Sequence, residues 1–226
     1  VIHELVREAP ARLQEMVRNQ NKIARPPVTD SLADLHRANK NCEACPLHEC
    51  ASQVVLGQGS VGAAVMIVGE QPGDEEDLAG LPFVGPAGQV LNQALDQLQW
   101  DRKNLYVTNA VKHFKFEQRG KLRLHKKPSG KEVTACRPWL EHEIEKVCPR
   151  LIVALGATAG TSLLGRLPKI STERGRLLQA TPVGAPIVLT WHPSSILRAI
   201  TREEKSLRMQ ELLADLALAK AFIAAS

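Results

Sequence analysis

Ala64-Val65-Met66-Ile67-Val68-Gly69 is a short apolar run that stops at a glycine, the length of a strand rather than of a helix. Without a polar position to face water, it reads as a strand of a parallel sheet covered on both sides. Working outward, residues 70–80 form a polar loop, residues 85–98 a helix, and Leu105-Tyr106-Val107-Thr108 a second strand. A helix over residues 131–147 precedes a third strand, Leu151-Ile152-Val153-Ala154-Leu155, ending at Gly156. Then come a helix over residues 157–164, strands near 177–180 and 187–190, and a closing helix over 202–223. Strands alternating with helices predict the α/β class, a central parallel sheet flanked by helices.

Upstream, Ile2, Leu5, Val6, Leu13, Met16 and Val17 recur at helical spacing, and Arg25-Pro26-Pro27 breaks the pattern. Residues 1–27 are therefore expected to be a helical appendage, or the tail of a preceding domain, and residues 28–226 the main domain. A short helix near residues 31–38 leads into Asn41-Cys42-Glu43-Ala44-Cys45-Pro46.

The chain has 226 residues, 44% of them hydrophobic, enough for one substantial core. It contains no apolar run of the roughly 20 residues that cross a bilayer, and no secretory signal opens it. The expectation is a cytoplasmic monomer without membrane attachment. The net charge of +5 permits a nucleic-acid partner. Its distribution says more: Lys112, Lys115, Arg119, Lys121, Arg123, Lys126, Lys127 and Lys131 face one acid, Glu117, with Phe114 and Phe116 among them. A basic loop with aromatics suits phosphates and exposed bases.

Three polar segments begin where strands end, at Glu70, Asn109 and His192, and in open parallel sheets that edge binds ligands. Gly69-Glu70-Gln71-Pro72-Gly73-Asp74-Glu75-Glu76-Asp77 is acidic and runs on toward Leu81-Pro82-Phe83-Val84-Gly85-Pro86, whose phenyl ring offers a stacking face. The amide of Asn109 both donates and accepts, the pattern that pairs with the edge of a nucleobase. His192-Pro193-Ser194-Ser195-Ile196-Leu197-Arg198 offers an imidazole to polarise a base carbonyl, with Ile196 or Leu197 as a wedge in the minor groove.

Taken in order, Gly-Glu-x-Pro-Gly, Leu-Pro-Phe-Val-Gly-Pro-Ala-Gly, Val-Thr-Asn-Ala-Val-Lys and His-Pro-Ser-Ser resemble the iron–sulfur branch of the uracil-DNA glycosylase superfamily, over about residues 40–220. His113 follows Lys112 where the turnover enzymes carry cysteine, and Gly120-Lys121-Leu122-Arg123-Leu124-His125-Lys126-Lys127-Pro128 resembles the His-ended insertion of the uracil-DNA glycosylase X family. The usual insertion is richer in arginine, so Leu122 is a departure. The resemblance implies that uracil is excised from single-stranded or duplex DNA and that His125 then bonds covalently to the abasic sugar. It places catalysis on His125, Glu70, Gln71 and His192, and uracil contact on Gln71, Asp74, Phe83, Asn109 and His192. DNA contact falls to Lys121, Arg123, Lys126, Lys127, Ser194, Ser195, Leu197 and Arg198. The rival expectations are a conventional turnover glycosylase of the same branch and a non-enzymatic, metal-bearing DNA-binding module.

Five cysteines make an odd number, and Cys42 and Cys45 have the spacing of a metal knuckle. The resemblance implies Cys136 and His113 as their partners, a set that suits either a zinc Cys₃His site or an iron–sulfur cluster. The resemblance implies a [4Fe–4S] cluster, with Cys50 and Cys148 as spare thiols.

Overall fold

A computed structural model describes residues 23–29 and 31–225. The helix expected over residues 1–24 lies almost wholly outside them. Its last residues and the linker are tied to the main body, since Ala24 is buried and its N–H bonds to the carbonyl of Ala135 at 2.9 Å.

Five strands form the central sheet: β1 Val65–Gly69, β2 Leu105–Asn109, β5 Leu151–Leu155, β6 Leu177–Leu178 and β7 Ile187–Thr190. Their order is β2-β1-β5-β7-β6. Four run parallel, and only the two-residue edge strand β6 is antiparallel to its neighbour β7. The expected α/β sheet is present, with that one reversed strand as the exception.

Every residue of β1 is buried, and successive side chains alternate between two cores. Met66 and Val68 join Tyr106, Ile152 and Leu189 on one face, covered by α4 Gly130–Val147 and α5 Gly156–Leu164 through Leu140, Ile144, Ala159 and Leu163. Val65 and Ile67 join Leu105, Val107 and Val153 on the other, covered by α3 Pro86–Gln97 and α8 Arg202–Ala225 through Leu91, Leu95, Leu212 and Leu216. The period-two alternation with apolar residues on both faces is what the buried-strand reading required.

A third core lies beside the sheet and packs α1 Leu32–Asn39 and the cysteine knuckle against α4 through Leu35, Leu47, Val133 and Trp139. Ser31 caps α1 by accepting from the N–H of Asp34. Ser129 and Glu132 cap α4 reciprocally, each side chain accepting from the other's backbone N–H.

Two expected loops are ordered elements. Residues 70–80 contain a helix, α2 Asp74–Ala79, whose first turn holds four acids. Carboxylates there complement the helix dipole, so the acidic run that looked merely polar is a helix start. The basic loop is a hairpin of β3 Phe116–Arg119 and β4 Leu122–His125, turning at Gly120 with φ +57°. The remaining short helices are α6 Ile170–Glu173 and α7 Pro193–Leu197.

The chain leaves β1 for β2 on one side, then returns to β5 on the other. That reversal opens a crevice at the carboxyl ends of β1 and β5, the place where such sheets bind ligands.

Candidate active site

Above the sheet's carboxyl edge lies a cavity of about 340 Å³, whose walls include Glu70, Gln71, Phe83, Asn109, His125 and His192. Asn109 reaches it because β2 pairs in register with β1, setting Asn109 opposite Gly69. A side chain at Gly69 would collide with Asn109 Oδ1 and come within 2.5 Å of Phe83 Cζ. The glycine thus lets the amide and the phenyl ring meet over one strand end. Asn109 Oδ1 is buried and without a hydrogen-bond partner. A buried acceptor left open costs free energy unless a ligand fills it.

Phe83 is held in a left-handed conformation, φ 56°, unusual for a bulky residue. Arg102 supports it by donating to the carbonyls of Pro82 at 2.8 Å and Phe83 at 3.2 Å, and to Asn92. Gly88 must be glycine because a Cβ there would collide with the Phe83 carbonyl. The phenyl ring then lies 6.0 Å, centroid to centroid, from the ring of His192.

His192 caps the short helix α7, its Nδ1 accepting from the N–H of Ser194 at 3.2 Å and lying 2.8 Å from Ser194 Oγ. Because Nδ1 accepts, the neutral ring carries its proton on Nε2, which leaves an N–H donor for a ligand. Burial pushes the imidazole down to about 3, with Arg198 and His125 adding to the effect. It is neutral at physiological pH and can offer a ligand a hydrogen bond without donating a full proton.

The residues of this loop expected to touch DNA differ in their surroundings. The Ser194 hydroxyl is engaged with His192, and Ser195 Oγ is buried with no partner. Ile196 is buried in the core, which leaves Leu197, 44% exposed, as the wedge candidate. Arg198 is exposed and borders the cavity.

Gln71 is buried and brackets the hairpin: its Nε2 donates to the carbonyls of Lys115 (3.1 Å) and Lys126 (3.0 Å), and its Oε1 accepts from Lys115 N–H (3.2 Å). The expected catalytic or base-reading amide is therefore engaged with backbone. Asp74 borders the cavity, but its carboxylate pairs with Arg123 Nε at 2.5 Å. Arg123 also donates to the fully buried Asp77 at 2.6 Å and to Ser52 at 3.1 Å, and its guanidinium lies over Phe116 at 5.1 Å. An arginine so placed locks the hairpin to α2, its guanidinium engaged within the chain. Lys121 and Lys127 are exposed, and Lys126 is half-exposed beside Glu117 at 2.5 Å.

Along β4, Arg123 and His125 point the same way, so anchoring the first aims the second into the cavity. His125 Nε2 faces Glu70 Oε1 at 3.5 Å, long for a hydrogen bond. Burial lowers the imidazole from its ordinary 6.5, Glu70 opposes this and Arg198 adds to it. Glu70 is held from behind, its backbone carbonyl accepting from Val111 N–H at 3.0 Å and its Oε2 from the Thr158 hydroxyl.

Cys42, Cys45 and Cys136 share the third core, where Cys42 and Cys45 lie near enough for their charge to act on Cys136. Burial raises the Cys45 thiol and pushes Cys136 up to about 12. The Trp139 indole N–H donates to Cys42 Sγ at 3.1 Å, the kind of bond that tunes a ligating sulfur. Among the described residues no three His, Cys, Asp or Glu side chains converge as a single ion requires. His113 is buried, lowered to about 4 by burial with help from His48. His48 itself is bonded through Nδ1 to the Cys45 carbonyl at 2.7 Å, a neighbour the motif reading overlooked.

Sequence reasoning also missed Glu143 and Thr158, and grouped Lys112 with the basic loop. Lys112 is fully buried, and its ammonium donates to Glu143 (2.5 Å), Thr108 Oγ1 (2.7 Å) and the carbonyl of Asn109 (2.8 Å). Burial alone would raise the Glu143 carboxyl, but Lys112 and His36 hold it well below the usual carboxylate range. The one available signal was a lysine directly beyond an apolar strand, indistinguishable in the sequence from a phosphate contact.

Residues 56–217 match the family model described as the uracil DNA glycosylase superfamily. The chain is 41% identical over 173 residues to the type-4 uracil-DNA glycosylase of Pyrobaculum aerophilum, covering 74% of this chain and 85% of that protein. It is 37% identical over 185 residues to the type-4 enzyme of Thermotoga maritima, covering 81% and 90%. Similarity extends to a type-5 uracil-DNA glycosylase of P. aerophilum, at 30% identity over 155 residues, 61% of this chain and 64% of that one.

Proposed function

The chain belongs to the uracil-DNA glycosylase superfamily, and on that premise we propose that it excises uracil from DNA and retains the abasic sugar on His125. The observation that carries the second half is the placement of His125 Nε2 across from Glu70 Oε1, both bordering the cavity that Phe83, Asn109 and His192 line.

Uracil stacks on Phe83, and Asn109 offers its unpaired Oδ1 to N3–H and its NH₂ to O4. Cytosine, which has a lone pair at N3, is refused. Asp74 and Gln71 contribute through the backbone of their turn, their side chains being engaged with the hairpin. The bond from C1′ to N1 breaks with its electron pair passing to uracil, and the His192 N–H stabilises the resulting anion at O2. The carboxylate of Glu70 offsets the positive charge growing on the sugar. His125 then gives its Nε2 lone pair to C1′, forming the new bond while Glu70 lies beside the imidazolium. Loss of the remaining ring proton to solvent leaves a neutral glycosyl-imidazole, which has no facile route to hydrolysis. Uracil leaves and takes its proton from water. Lys121, Lys126, Lys127 and Arg198 supply phosphate contacts, and Leu197 fills the gap left by the flipped nucleotide.

A [4Fe–4S] cluster on Cys42, Cys45, Cys136 and His113 is part of this reading, supported by the shared core and the Trp139 hydrogen bond. Such a cluster would supply structural anchorage for the knuckle and the residues following β2.

The rival is a turnover glycosylase, favoured by the similarity to enzymes named type-4. Incubation with uracil-containing oligonucleotide followed by denaturing electrophoresis separates the two. A band that survives SDS and heat, appears only with uracil, and vanishes in His125→Ser while uracil is still released supports capture. Repeated turnover without such a band supports the rival.

A further inference from the structure

The Thr158–Glu70 hydrogen bond crosses the crevice between β5 and β1 and joins residues 88 positions apart in the chain. Thr158 lies in the first turn of α5 and is buried at 4% exposure. The turn is brought close by Gly156, with φ +82°, where a Cβ would come 3.0 Å from His192 Cβ. A second cavity, about 410 Å³, opens on this side of the wall and is bordered by Glu70, Thr158, Lys127 and Arg198.

Glu70 therefore has alternatives. Two cations, Lys127 and Arg198, border the same cavity, and a carboxylate on a flexible side chain can turn toward either of them instead of toward His125. The hydroxyl of Thr158 has one proton to donate, and it goes to Oε2, leaving Oε1 directed at the imidazole. We propose that Thr158 is a positioning residue that selects the orientation of Glu70 in which one oxygen faces the sugar carbon and His125. This rests on the proposed glycosylase chemistry. It adds a residue on a different element, whose side chain touches neither base nor nucleophile.

The test is single-turnover uracil release and adduct formation by Thr158→Val, which keeps the shape and removes the hydroxyl, and by Thr158→Ser, which restores it. The valine variant should bind uracil-containing DNA with unchanged Kd and melt like wild type. Its chemical step should be slower by about tenfold or more, the scale of one hydrogen bond to a charged group. The serine variant should recover most of that rate. In a Glu70→Ala background, Thr158→Val should add nothing further, because the effect passes through the carboxylate. A valine variant at wild-type rate, a serine variant as slow as valine, or full additivity with Glu70→Ala overturns the proposal. If wild type releases uracil without forming an adduct, the capture reading fails while the release rates still decide the role of Thr158. A wild type that releases no uracil removes both.

Discussion

Arg123 and Asp77 are joined by a 2.6 Å ion pair in which the carboxylate is wholly buried. The pair ties the β3–β4 hairpin to α2, and His125 lies two residues beyond Arg123 on the same face of β4. Removing one partner of a buried pair leaves the other charge uncompensated, at about 3–5 kcal/mol. Ser52 N–H also bonds to Asp77, which lessens the loss. Arg123→Ala should lower stability by up to that amount. It should also slow adduct formation at least tenfold, while uracil release changes less, because Glu70, Asn109 and His192 are held by other elements. Chemical denaturation and single-turnover assays of release and capture provide the comparison; equal slowing of both steps would mean that the hairpin shapes the base pocket as well.

Gly69→Ala tests the meeting of Asn109 and Phe83. The added methyl would push into both side chains, and neither can withdraw without leaving the base site. Overpacking of this kind costs about 1–3 kcal/mol in stability, while misplacement of reading groups costs on the order of a hundredfold in rate. A folded Gly69→Ala protein with near-normal uracil release would remove the Asn109–Phe83 juxtaposition from the mechanism.

The pH dependence follows from the two histidines. The neutral form of His125 is the nucleophile, and burial lowers its proton affinity from the ordinary 6.5. Capture should therefore be flat through neutral and mildly alkaline pH and decline only on acidification through the lowered value. His192, held at about 3, is neutral throughout that range and should add no further inflection. A capture rate that is already falling as pH drops from 8 to 7 (roughly a pK unit above the ordinary histidine value) would contradict the lowered imidazole.

The iron–sulfur reading predicts a brown protein with broad visible absorbance and about four irons per chain. Trp139→Phe removes the indole donor to Cys42 Sγ. The variant should fold and load iron but lose its colour faster in air. One zinc per colourless chain would replace the cluster with a mononuclear site.

The layered α/β fold was legible because β1, β2, β5 and β7 are apolar runs bounded by glycine or polar residues, a pattern that local sequence carries in full. Asn109 and His192 were legible for the same reason: each ends or follows such a strand, and strand ends converge in a parallel sheet. The partners of the charged side chains were not. Arg123 and Lys112 looked alike in the sequence as cations of one basic stretch, yet one pairs with Asp77 on α2 and the other with Glu143 on α4. Gln71 became a hairpin bracket and Thr158 a support for Glu70 through contacts between elements far apart in the chain. Periodicity reports which face of an element is buried, because burial repeats along it. A hydrogen bond or ion pair depends on two atoms brought together by packing, and only the tertiary structure decides which two.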